Sequence, residues 1–275
     1  MPPENIVPAS QVMGILNVTP DSFSDGGHFF SRDAALKQAH QMAAEGADII
    51  DIGGESTRPC AEPASVEEEL DRVIPVLEKI RAELPIPISV DTSKAQVMRE
   101  AIAAGADMIN DVMALRGEGS LAAVAASNKV QVCLMHLQGE PRTMQLNPHY
   151  DDVVNEIKAF LQARVQVCLE AGIASSRLLI DPGFGFGKTV EHNLQLMKQL
   201  QVFTELGYPV LVGVSRKSLI GQVLNKPVTE RLYGSLALAV LAVSKGVAVI
   251  RTHDVAATVE TLKMTHAVLQ QTDNL

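Results

Sequence analysis

Residues 46–51 read GADIID, a glycine followed by a short, mostly apolar run that ends on Asp51. The same arrangement returns as GADMIN at 105–110 and as GVAVIR at 246–251, with the polar residue five positions after the glycine each time. Glycine at this place supplies the left-handed backbone that ends a helix, and the apolar run suits a strand buried on both faces. A constant strand length would then place polar side chains from different strands at one edge of a sheet.

Strand-like and helix-like patterns alternate along the rest of the chain. Short apolar runs predict eight strands, and apolar residues at helical spacing predict the helices between them. The strands are predicted at 13–16, 48–52, 88–90, 108–109, 130–135, 178–180, 210–214 and 247–250. The helices are predicted around 35–43, 70–80, 94–104, 120–127, 151–171, 190–206, 230–245 and 255–269. Ser65 with Glu68 forms a capping box that predicts the start of the second helix.

Eight strand–helix units in about 250 residues is the count of a (β/α)₈ TIM barrel with its active site at the carboxyl ends of the strands. We therefore predict an α/β protein with one domain over residues 1–275. A doubly wound sheet is the alternative, because periodicity does not show whether a sheet closes on itself.

The composition narrows the classes of partner. The chain has 275 residues with 23 Lys plus Arg against 32 Asp plus Glu, a net charge of −9. This charge argues against nucleic acid as the main partner, and an anionic substrate would need a few cations concentrated at its site. No secretory signal and no apolar run long enough for a membrane span occur, and three cysteines lack disulfide or zinc spacing. We expect a cytoplasmic protein that does not bind membranes.

Polar residues follow the predicted strands and should converge at one face of a barrel. Collected by strand they are Asn17, Asp51, Asp91, Asn110, His136, Asp181, Ser215–Lys217, and Arg251 with His253. Asp91, Asn110 and Asp181 suit a flat heterocycle that carries several N–H donors and a carbonyl, since carboxylates accept paired N–H bonds and an amide both donates and accepts. A single strand-end aspartate is also a common helix N-cap, which is the alternative for Asp91 before TSK.

Two patterns point to a phosphate group. The stretch 13–27, MGILNVTPDSFSDGG, places Asn17 at a strand end, followed by oxygen donors that suit Mg²⁺ or an anion that Mg²⁺ bridges. Arg251 and His253 stand two apart, hence on the same side of an extended segment, as in a clamp for phosphate or diphosphate. The alternatives are an ordinary turn for the first pattern, and a surface arginine with a helix-capping histidine for the second.

Three further patterns concern the ring and a second substrate. Lys217 in VSRKS follows a strand end where a cation would contact a ring carbonyl or nitrogen, and Arg58 in STRP would reach an anionic second substrate. DPGFGFGKT at 181–189 is not a P-loop, which requires glycine where Pro182 stands. We interpret it as a glycine-lined approach with Phe186 as a stacking wall, the alternative being a structural phenylalanine. Ser215 lacks the context of a nucleophilic serine.

His136 is the remaining polar residue at a predicted strand end. It is either a general base or a histidine packed in the barrel, and we favour the packed histidine.

The longer motifs, taken together, resemble those of the dihydropteroate synthases of bacterial folate synthesis, and they occur in that family's order from residue 13 to residue 254. They are LNVTPDSFSDGG, DIGGESTRP, SVDTSK, INDV, MHLQGEPRTMQ, DPGFGFGK, VSRKS and an R-x-H pair before Asp254. The resemblance implies a TIM barrel that condenses 6-hydroxymethyl-7,8-dihydropterin diphosphate with para-aminobenzoate to give 7,8-dihydropteroate and diphosphate. It further implies Mg²⁺ as cofactor, sulfonamides as inhibitors and a homodimer.

The resemblance also implies roles for individual residues. Asn17 would bind the metal, and Asp25, Arg58 and Lys217 would serve catalysis. The residues implied for pterin diphosphate are Thr57, Asp91, Asn110, Asp181, Lys217, Arg251 and His253. Those implied for para-aminobenzoate are Phe23, Arg58, Pro59, Phe186, Lys217 and Ser218, with the loops after the first two strands closing over the site.

This reaction agrees with the residues present, because departure of diphosphate needs cations and a metal, not a protein nucleophile. Cys60 stands where the family commonly has glycine, a change expected to stiffen the second loop. One alternative function is a methyltetrahydrofolate-dependent methyltransferase, which needs no diphosphate clamp. Another is a non-catalytic pterin-binding paralogue, which would be expected to lack Asn17, Lys217 or Arg251.

Overall fold

The computed structural model describes residues 9–19, 27–55, 63–140 and 143–270, and within residues 27–31 it describes the helical backbone alone. Eight parallel strands run through these residues. They are β1 (Gln11–Asn17), β2 (Ile49–Gly53), β3 (Ile88–Asp91), β4 (Met108–Asp111), β5 (Gln131–Met135), β6 (Leu178–Asp181), β7 (Leu211–Val212) and β8 (Val249–Thr252).

Ten α-helices lie between and after the strands in the described part of the chain. They are α1 (Gly27–Ala44), α2 (Val66–Glu83), α3 (Ala95–Ala103), α4 (Ser120–Ala125), α5 (Val153–Glu170), α6 (Val190–Lys198), α7 (Gln201–Thr204), α8 (Ser218–Leu224), α9 (Leu232–Val243) and α10 (Val255–Leu269). Short 3₁₀ turns occur at 175–177 and 228–230. None of the helices in these described ranges is long and apolar enough to cross a lipid bilayer.

The sheet closes on itself, which confirms the predicted barrel and excludes the doubly wound alternative. Hydrogen-bonded neighbours follow the order β6-β5-β4-β3-β2-β1-β8-β7, so the first strand lies between the second and the last. A parallel bridge between Ile180 and Val210 joins β6 to β7. The Ile180 N–H also donates to the Pro209 carbonyl at 3.0 Å. A doubly wound sheet has two open edges, whereas here the two outermost strands pair with each other.

Helix ends and starts follow the predicted signals. Gly46, Gly105 and Gly246 have φ values of +94°, +98° and +85°, so each adopts the left-handed backbone expected after a helix. The capping box of Ser65 with Glu68 is present at the start of α2.

Most element bounds differ from the prediction by a few residues, and three differences are larger. The helix predicted over 190–206 is two helices, α6 and α7, and β7 covers only two residues of the predicted 210–214. Helix α8 was not predicted, because SLIGQVL is short and lacks a clear polar face. It ends at Asn225, whose φ of +52° is left-handed. These differences leave the order of the eight strands unchanged.

Two apolar layers hold the barrel together. The larger one lies between the outer face of the strands and the helices, and includes Leu16, Ile50 and Val90. The smaller one fills the interior of the barrel and consists of Met13, Ile49, Met108, Cys133, Leu179, Leu211 and Val249. Because both faces of the strands are buried, the strands read as continuous apolar runs.

Candidate active site

The barrel interior changes from apolar to polar toward the carboxyl ends of the strands. On four strands a polar residue stands two positions after a residue of the inner apolar layer, and therefore points to the same side. These pairs are Ile49 and Asp51, Met108 and Asn110, Leu179 and Asp181, and Val249 and Arg251. The polar side chains predicted from the strand ends are thus brought together above one apolar floor. Of these four polar residues, Asp51 lies furthest from the end of its strand, since β2 continues for two residues beyond it to Gly53.

Arg251 lies at the centre of this polar layer. Its Nε donates to Asp51 Oδ2 at 2.6 Å and its Nη2 donates to Asp91 Oδ2 at 2.9 Å. The Asn110 amide donates to the same Asp51 oxygen at 3.3 Å. Asp51 has no exposed surface, and its Oδ1 has no hydrogen-bond partner among the described residues. Side chains from β2, β3, β4 and β8 therefore form one connected network.

Asp91 faces this network and is not the N-cap of α3. Lys94 occupies the N-cap position, without a side-chain capping bond. Burial raises the pKa of Asp91 to about 7, the nearby Arg251 opposes this rise, and the carboxylate of Asp51 adds to it. A carboxyl group with this pKa changes its charge near neutral pH and suits recognition of ring N–H groups.

Asp181 ends β6 in a buried position next to the glycine-rich segment that follows. Its Oδ1 accepts a hydrogen bond from the Gly183 N–H at 2.7 Å. Burial raises the pKa of Asp181, while that bond and the positive charges of Lys217, Lys188 and Arg251 oppose the rise. The carboxylate is therefore held in a fixed orientation by the backbone of its own loop.

Lys217 and Phe186 lie against each other at the opening of the barrel. The Lys217 Nζ stands 4.1 Å from the centre of the Phe186 ring and donates to the Phe184 carbonyl oxygen. Burial lowers the pKa of Lys217 to about 8, although the neighbouring Asp181 favours its charged form. Phe186 is half-buried, whereas Phe184 is 1% exposed in the core. The stacking-wall interpretation thus suits Phe186, and the structural one suits Phe184.

His253 is tied to the loop after β7. Its backbone N–H and its Nδ1 lie 3.1 and 3.0 Å from the Ser215 Oγ. Next to this pair, Arg216 makes an ion pair with Asp254 through two of its nitrogens. The cap position of α10 belongs to Asp254, so the helix-capping alternative for His253 does not apply.

Asn17 and Ser218 complete the predicted residues within the described part of the chain. Asn17 ends β1 and lies beside Gly53 of β2, where a side-chain carbon on that glycine would come 3.5 Å from the Asn17 Oδ1. Ser218 is exposed at the start of α8. Among the described residues, no group of three His, Cys, Asp or Glu side chains is arranged to hold a metal ion.

Five predicted residues lie outside the described residues. Phe23 and Asp25 belong to 20–26, whereas Thr57, Arg58 and Pro59 belong to 56–62, together with Cys60. The second of these segments begins after Glu55, which pairs with Lys94, and the same lysine pairs with the fully buried Glu69. The root of the β2–α2 loop is therefore joined to α2 and to the segment before α3.

Sequence reasoning did not assign functions to three residues that shape this site. The sequence places Asp51 and Ser215 at strand ends without a function, rejects Ser215 as a nucleophile, and places Lys188 only in a stretch that is not a P-loop. The signal for Asp51 was its position five residues after Gly46, matching that of Arg251 after Gly246. The sequence contains no signal for the bond of Ser215 to His253 or of Lys188 to His136, because these partners are 38 and 52 residues apart.

Comparison with known proteins identifies the family to which this site belongs. The model of the pterin binding enzymes matches residues 13–253. Dihydropteroate synthase of Haemophilus influenzae is 56% identical over 257 residues, which cover 94% of this chain and 93% of that protein. The chain belongs to the dihydropteroate synthase family. The resemblance of the sequence motifs to those of dihydropteroate synthases is thereby confirmed over nearly the whole chain.

Solved dihydropteroate synthases have the same fold. The Yersinia pestis enzyme, in a complex with a sulfonamide drug, superposes with a TM-score of 0.92 at 50% identity and 96% coverage of both chains. The Xanthomonas albilineans enzyme with 4-aminobenzoic acid gives 0.91 at 51% identity, covering 97% of this chain and 95% of that one. The same enzyme with 7,8-dihydropteroate gives 0.88 at 49% identity, covering 97% and 96%.

Proposed function

We propose that this dihydropteroate synthase family member condenses 6-hydroxymethyl-7,8-dihydropterin diphosphate with para-aminobenzoate, releasing 7,8-dihydropteroate and diphosphate. The observation that carries the proposal is the meeting of Asp91, Asn110, Asp181 and Lys217, from four parts of the chain, above one apolar floor. The family relatives bound to 4-aminobenzoic acid and to 7,8-dihydropteroate support the choice of substrates.

The carboxylates would bind the pterin through its N–H groups. Asp181 is oriented by the Gly183 N–H, and Asp91 is oriented by Arg251. Lys217 would donate to the ring carbonyl or a ring nitrogen from the opposite side, as its Nζ already donates to a carbonyl oxygen at Phe184. The two carboxylates are acceptors and the lysine is a donor, and all three are held in place before the substrate binds. They match the N–H donors and the carbonyl or nitrogen acceptor of the pterin ring.

The same charges would assist departure of the diphosphate. The bond between the exocyclic methylene carbon and the diphosphate oxygen breaks, and the electron pair leaves with the oxygen. Positive charge on the pterin is stabilised by the buried carboxylates of Asp91 and Asp181. Arg251 within β8 and His253 directly after this strand would bind the leaving diphosphate.

Para-aminobenzoate would then bind beside the contact between Phe186 and Lys217. Its ring would stack on Phe186, and its amine nitrogen would attack the methylene carbon and afterwards lose a proton. An arylamine attacks a cationic carbon without a strong base, so the site needs no nucleophile of its own. We propose that sulfonamides compete for this position, as the complex of the Yersinia pestis relative suggests.

Mg²⁺ dependence is part of the proposal. The residues fit an ion that arrives with the substrate, because Asn17 offers one amide oxygen at the end of β1 and the described residues hold no closed carboxylate cage. Mg²⁺ is commonly bound by one or two protein oxygens together with substrate phosphates and water. Bound there, it would neutralise charge on the diphosphate. Asn17 would hold it, and His253 and Arg251 would orient the same phosphates.

We further propose a homodimer in the cytoplasm. Apolar side chains are exposed on the adjoining helices α8 and α9 and the turn between them, and a second copy would cover them. They are Val223, Leu224, Val228, Tyr233 and Leu241. Tyr233→Glu should shift the mass measured by light scattering from dimer to monomer, whereas an unchanged mass would place the contact elsewhere.

The buried free thiols Cys133 and Cys168 suit a reducing compartment.

A turnover assay tests the reaction directly. The protein should release diphosphate only when both substrates are present, and mass spectrometry should detect 7,8-dihydropteroate. Asp181→Ala should abolish binding of the pterin in calorimetry, while Glu67→Gln, on the exposed first turn of α2, serves as the control. Methyl transfer from methyltetrahydrofolate to a corrinoid, without diphosphate release, would favour the methyltransferase. Pterin binding with no turnover of either kind would favour the non-catalytic paralogue.

A further inference from the structure

Lys188 is a buried lysine whose ammonium group has three acceptors within hydrogen-bond distance. Its Nζ lies 3.0 Å from His136 Nδ1, 2.8 Å from the Gly183 carbonyl oxygen and 2.9 Å from the Phe186 carbonyl oxygen. The side chain is 4% exposed. Burial lowers the pKa of Lys188, whereas the negative charge of Asp181 favours its charged form. The ammonium form has three N–H bonds, so the three acceptors favour this form and use its full donor capacity. This lysine is therefore not available to a phosphate, although it follows a glycine-rich loop.

We propose that Lys188 and His136 form a positioning pair that sets the shape of the loop at 181–188, and through it the binding of both substrates. The inference rests on the proposed reaction, because it concerns the groups that this reaction uses. Neither residue contacts a substrate; both act through the backbone of the loop.

His136 acts in this pair as a neutral acceptor. Burial, together with the positive charges of Lys188 and Arg116, lowers its pKa to about 2. The ring is fixed by edge contacts, with its centre 4.9 Å from that of Phe160 and 6.1 Å from that of Tyr150. Nδ1 consequently has a lone pair for Lys188, and the ring hydrogen is on Nε2. This agrees with the packed histidine that the sequence analysis favours.

The loop lies directly on the segment that carries His136. Gly183 has a φ of +70°, and a side-chain carbon there would come within 1.9 Å of the His136 carbonyl oxygen. At Gly187, with a φ of +63°, such a carbon would come within 2.6 Å of the Gln138 carbonyl oxygen. The Tyr150 hydroxyl donates to the Gly187 carbonyl at 2.9 Å. Only glycine permits such a close approach of the two backbones. Lys188 bonds the loop at 181–188 to the segment that carries His136.

Both substrate positions depend on the carbonyls that Lys188 binds. Gly183 accepts from Lys188 through its carbonyl and donates its N–H to Asp181, which fixes the carboxylate proposed for the pterin. Phe186 accepts from Lys188 through its carbonyl and presents its ring to Lys217. One buried ammonium group thus connects the pterin carboxylate to the ring proposed for para-aminobenzoate.

A matched pair of substitutions at His136 tests this proposal. His136→Asn places an amide oxygen near the position of Nδ1 and keeps the acceptor, whereas His136→Leu has a similar volume and removes it. Removal of one hydrogen bond to a charged group corresponds to a loss of about tenfold to a hundredfold. We expect His136→Leu to raise the KM values of both substrates by that factor, with a smaller change in kcat. His136→Asn should stay within about threefold of the wild type.

Lys188→Met should reproduce the effect of His136→Leu, and Lys198→Met, at the exposed end of α6, is the control for removal of a lysine. Should Lys188→Met fail to fold, the comparison of His136→Leu with His136→Asn still tests the proposed pair. The proposal is overturned if His136→Leu and His136→Asn have equal KM values, or if only the melting temperature falls while both KM values are unchanged.

A spectroscopic measurement is independent of turnover. In ¹H–¹⁵N spectra of the imidazole, Nδ1 of His136 should remain unprotonated and Nε2 protonated from about pH 5 to about pH 8. A histidine that titrates in this range overturns the positioning pair. If the wild-type protein lacked turnover, the proposed reaction would fail, while this spectrum and calorimetric binding of the pterin would still report on the pair.

Discussion

The Arg251 guanidinium donates from Nε to Asp51 Oδ2 at 2.6 Å, across 200 residues of sequence and inside a barrel where Asp51 has no exposed surface. The same guanidinium bonds Asp91, so its plane is held from two strands. Arg251 was predicted from sequence to bind diphosphate. The structure adds that its orientation depends on a carboxylate to which no such function was assigned.

Asp51→Ala should therefore destabilise the fold and weaken binding of the substrate. Removing one partner of a buried ion pair typically costs about 3–5 kcal/mol. Because Arg251 keeps its bond to Asp91, we expect a loss at the lower end of this range. Urea denaturation should show this loss in the free energy of unfolding. Glu230→Ala, which breaks the exposed pair with Lys226, should cost less than about 1 kcal/mol. Equal losses for the two variants would contradict the role of Asp51.

The pH dependence of kcat/KM should have a maximum between the pKa values of Asp91 and Lys217. Burial raises the pKa of Asp91 to about 7, so its carboxylate becomes protonated as the pH falls below that value. Burial lowers the pKa of Lys217 to about 8, so its ammonium loses its charge as the pH rises above that value. Since both groups are proposed to act in their charged forms, the rate should fall on each side.

Single substitutions assign the two limbs of this profile. Lys217→Arg keeps the positive charge at all accessible pH values and should remove the alkaline fall, even if the maximum rate is lower. Asp91→Asn should remove the acidic fall. An alkaline fall that persists at the same pH in Lys217→Arg would assign that limb to another group.

The two phenylalanines of the loop should respond in opposite ways to truncation. Phe184 is 1% exposed, and Phe184→Ala should cost about 3–5 kcal/mol of folding free energy, as is typical of a buried aromatic side chain. Phe186 is half-buried beside Lys217, and Phe186→Ala should mainly weaken binding of para-aminobenzoate and of sulfonamides. Thermal unfolding and calorimetry on the two variants form a matched comparison. A loss of sulfonamide affinity in Phe184→Ala alone would reverse the assignment.

The architecture was largely predictable from the sequence, because its signals are local. The glycines at 46, 105 and 246 end helices, and apolar runs of similar length follow them. The closure of the sheet was not predictable in this way, since it depends on the pairing of Ile180 with Val210, at the two ends of the connection between β6 and β7. Helix α8 was missed because seven residues carry too little periodicity to distinguish a short helix from a loop.

The site was predictable to the level of which residues meet, but not to the level of which atoms bond. Strand ends indicated Asp91, Asn110 and Asp181 because a barrel collects them at one face. That Arg251 bonds Asp51, and that Lys188 turns inward to two carbonyls and His136, depends on strand register and on loop shape. Neither property is encoded in a short motif, since Arg251 and Asp51 are 200 residues apart and Lys188 and His136 are 52 residues apart.

Asn17→Ala should separate recognition of the diphosphate from recognition of the ring. Asn17 ends β1 at the mouth of the barrel, whereas the carboxylates proposed for the ring come from β3 and β6. If Asn17 holds Mg²⁺ against the phosphates, the variant should bind the pterin diphosphate about tenfold to a hundredfold more weakly, a loss typical of a contact in a metal site. Its affinity for 6-hydroxymethylpterin, which lacks the phosphates, should be unchanged in calorimetry. Removal of Mg²⁺ with EDTA should weaken binding of the diphosphate to the wild-type protein and have little further effect on the variant, because the two changes remove the same contact. A variant that loses both ligands equally would show that Asn17 supports the barrel mouth as a whole and does not act on the phosphates.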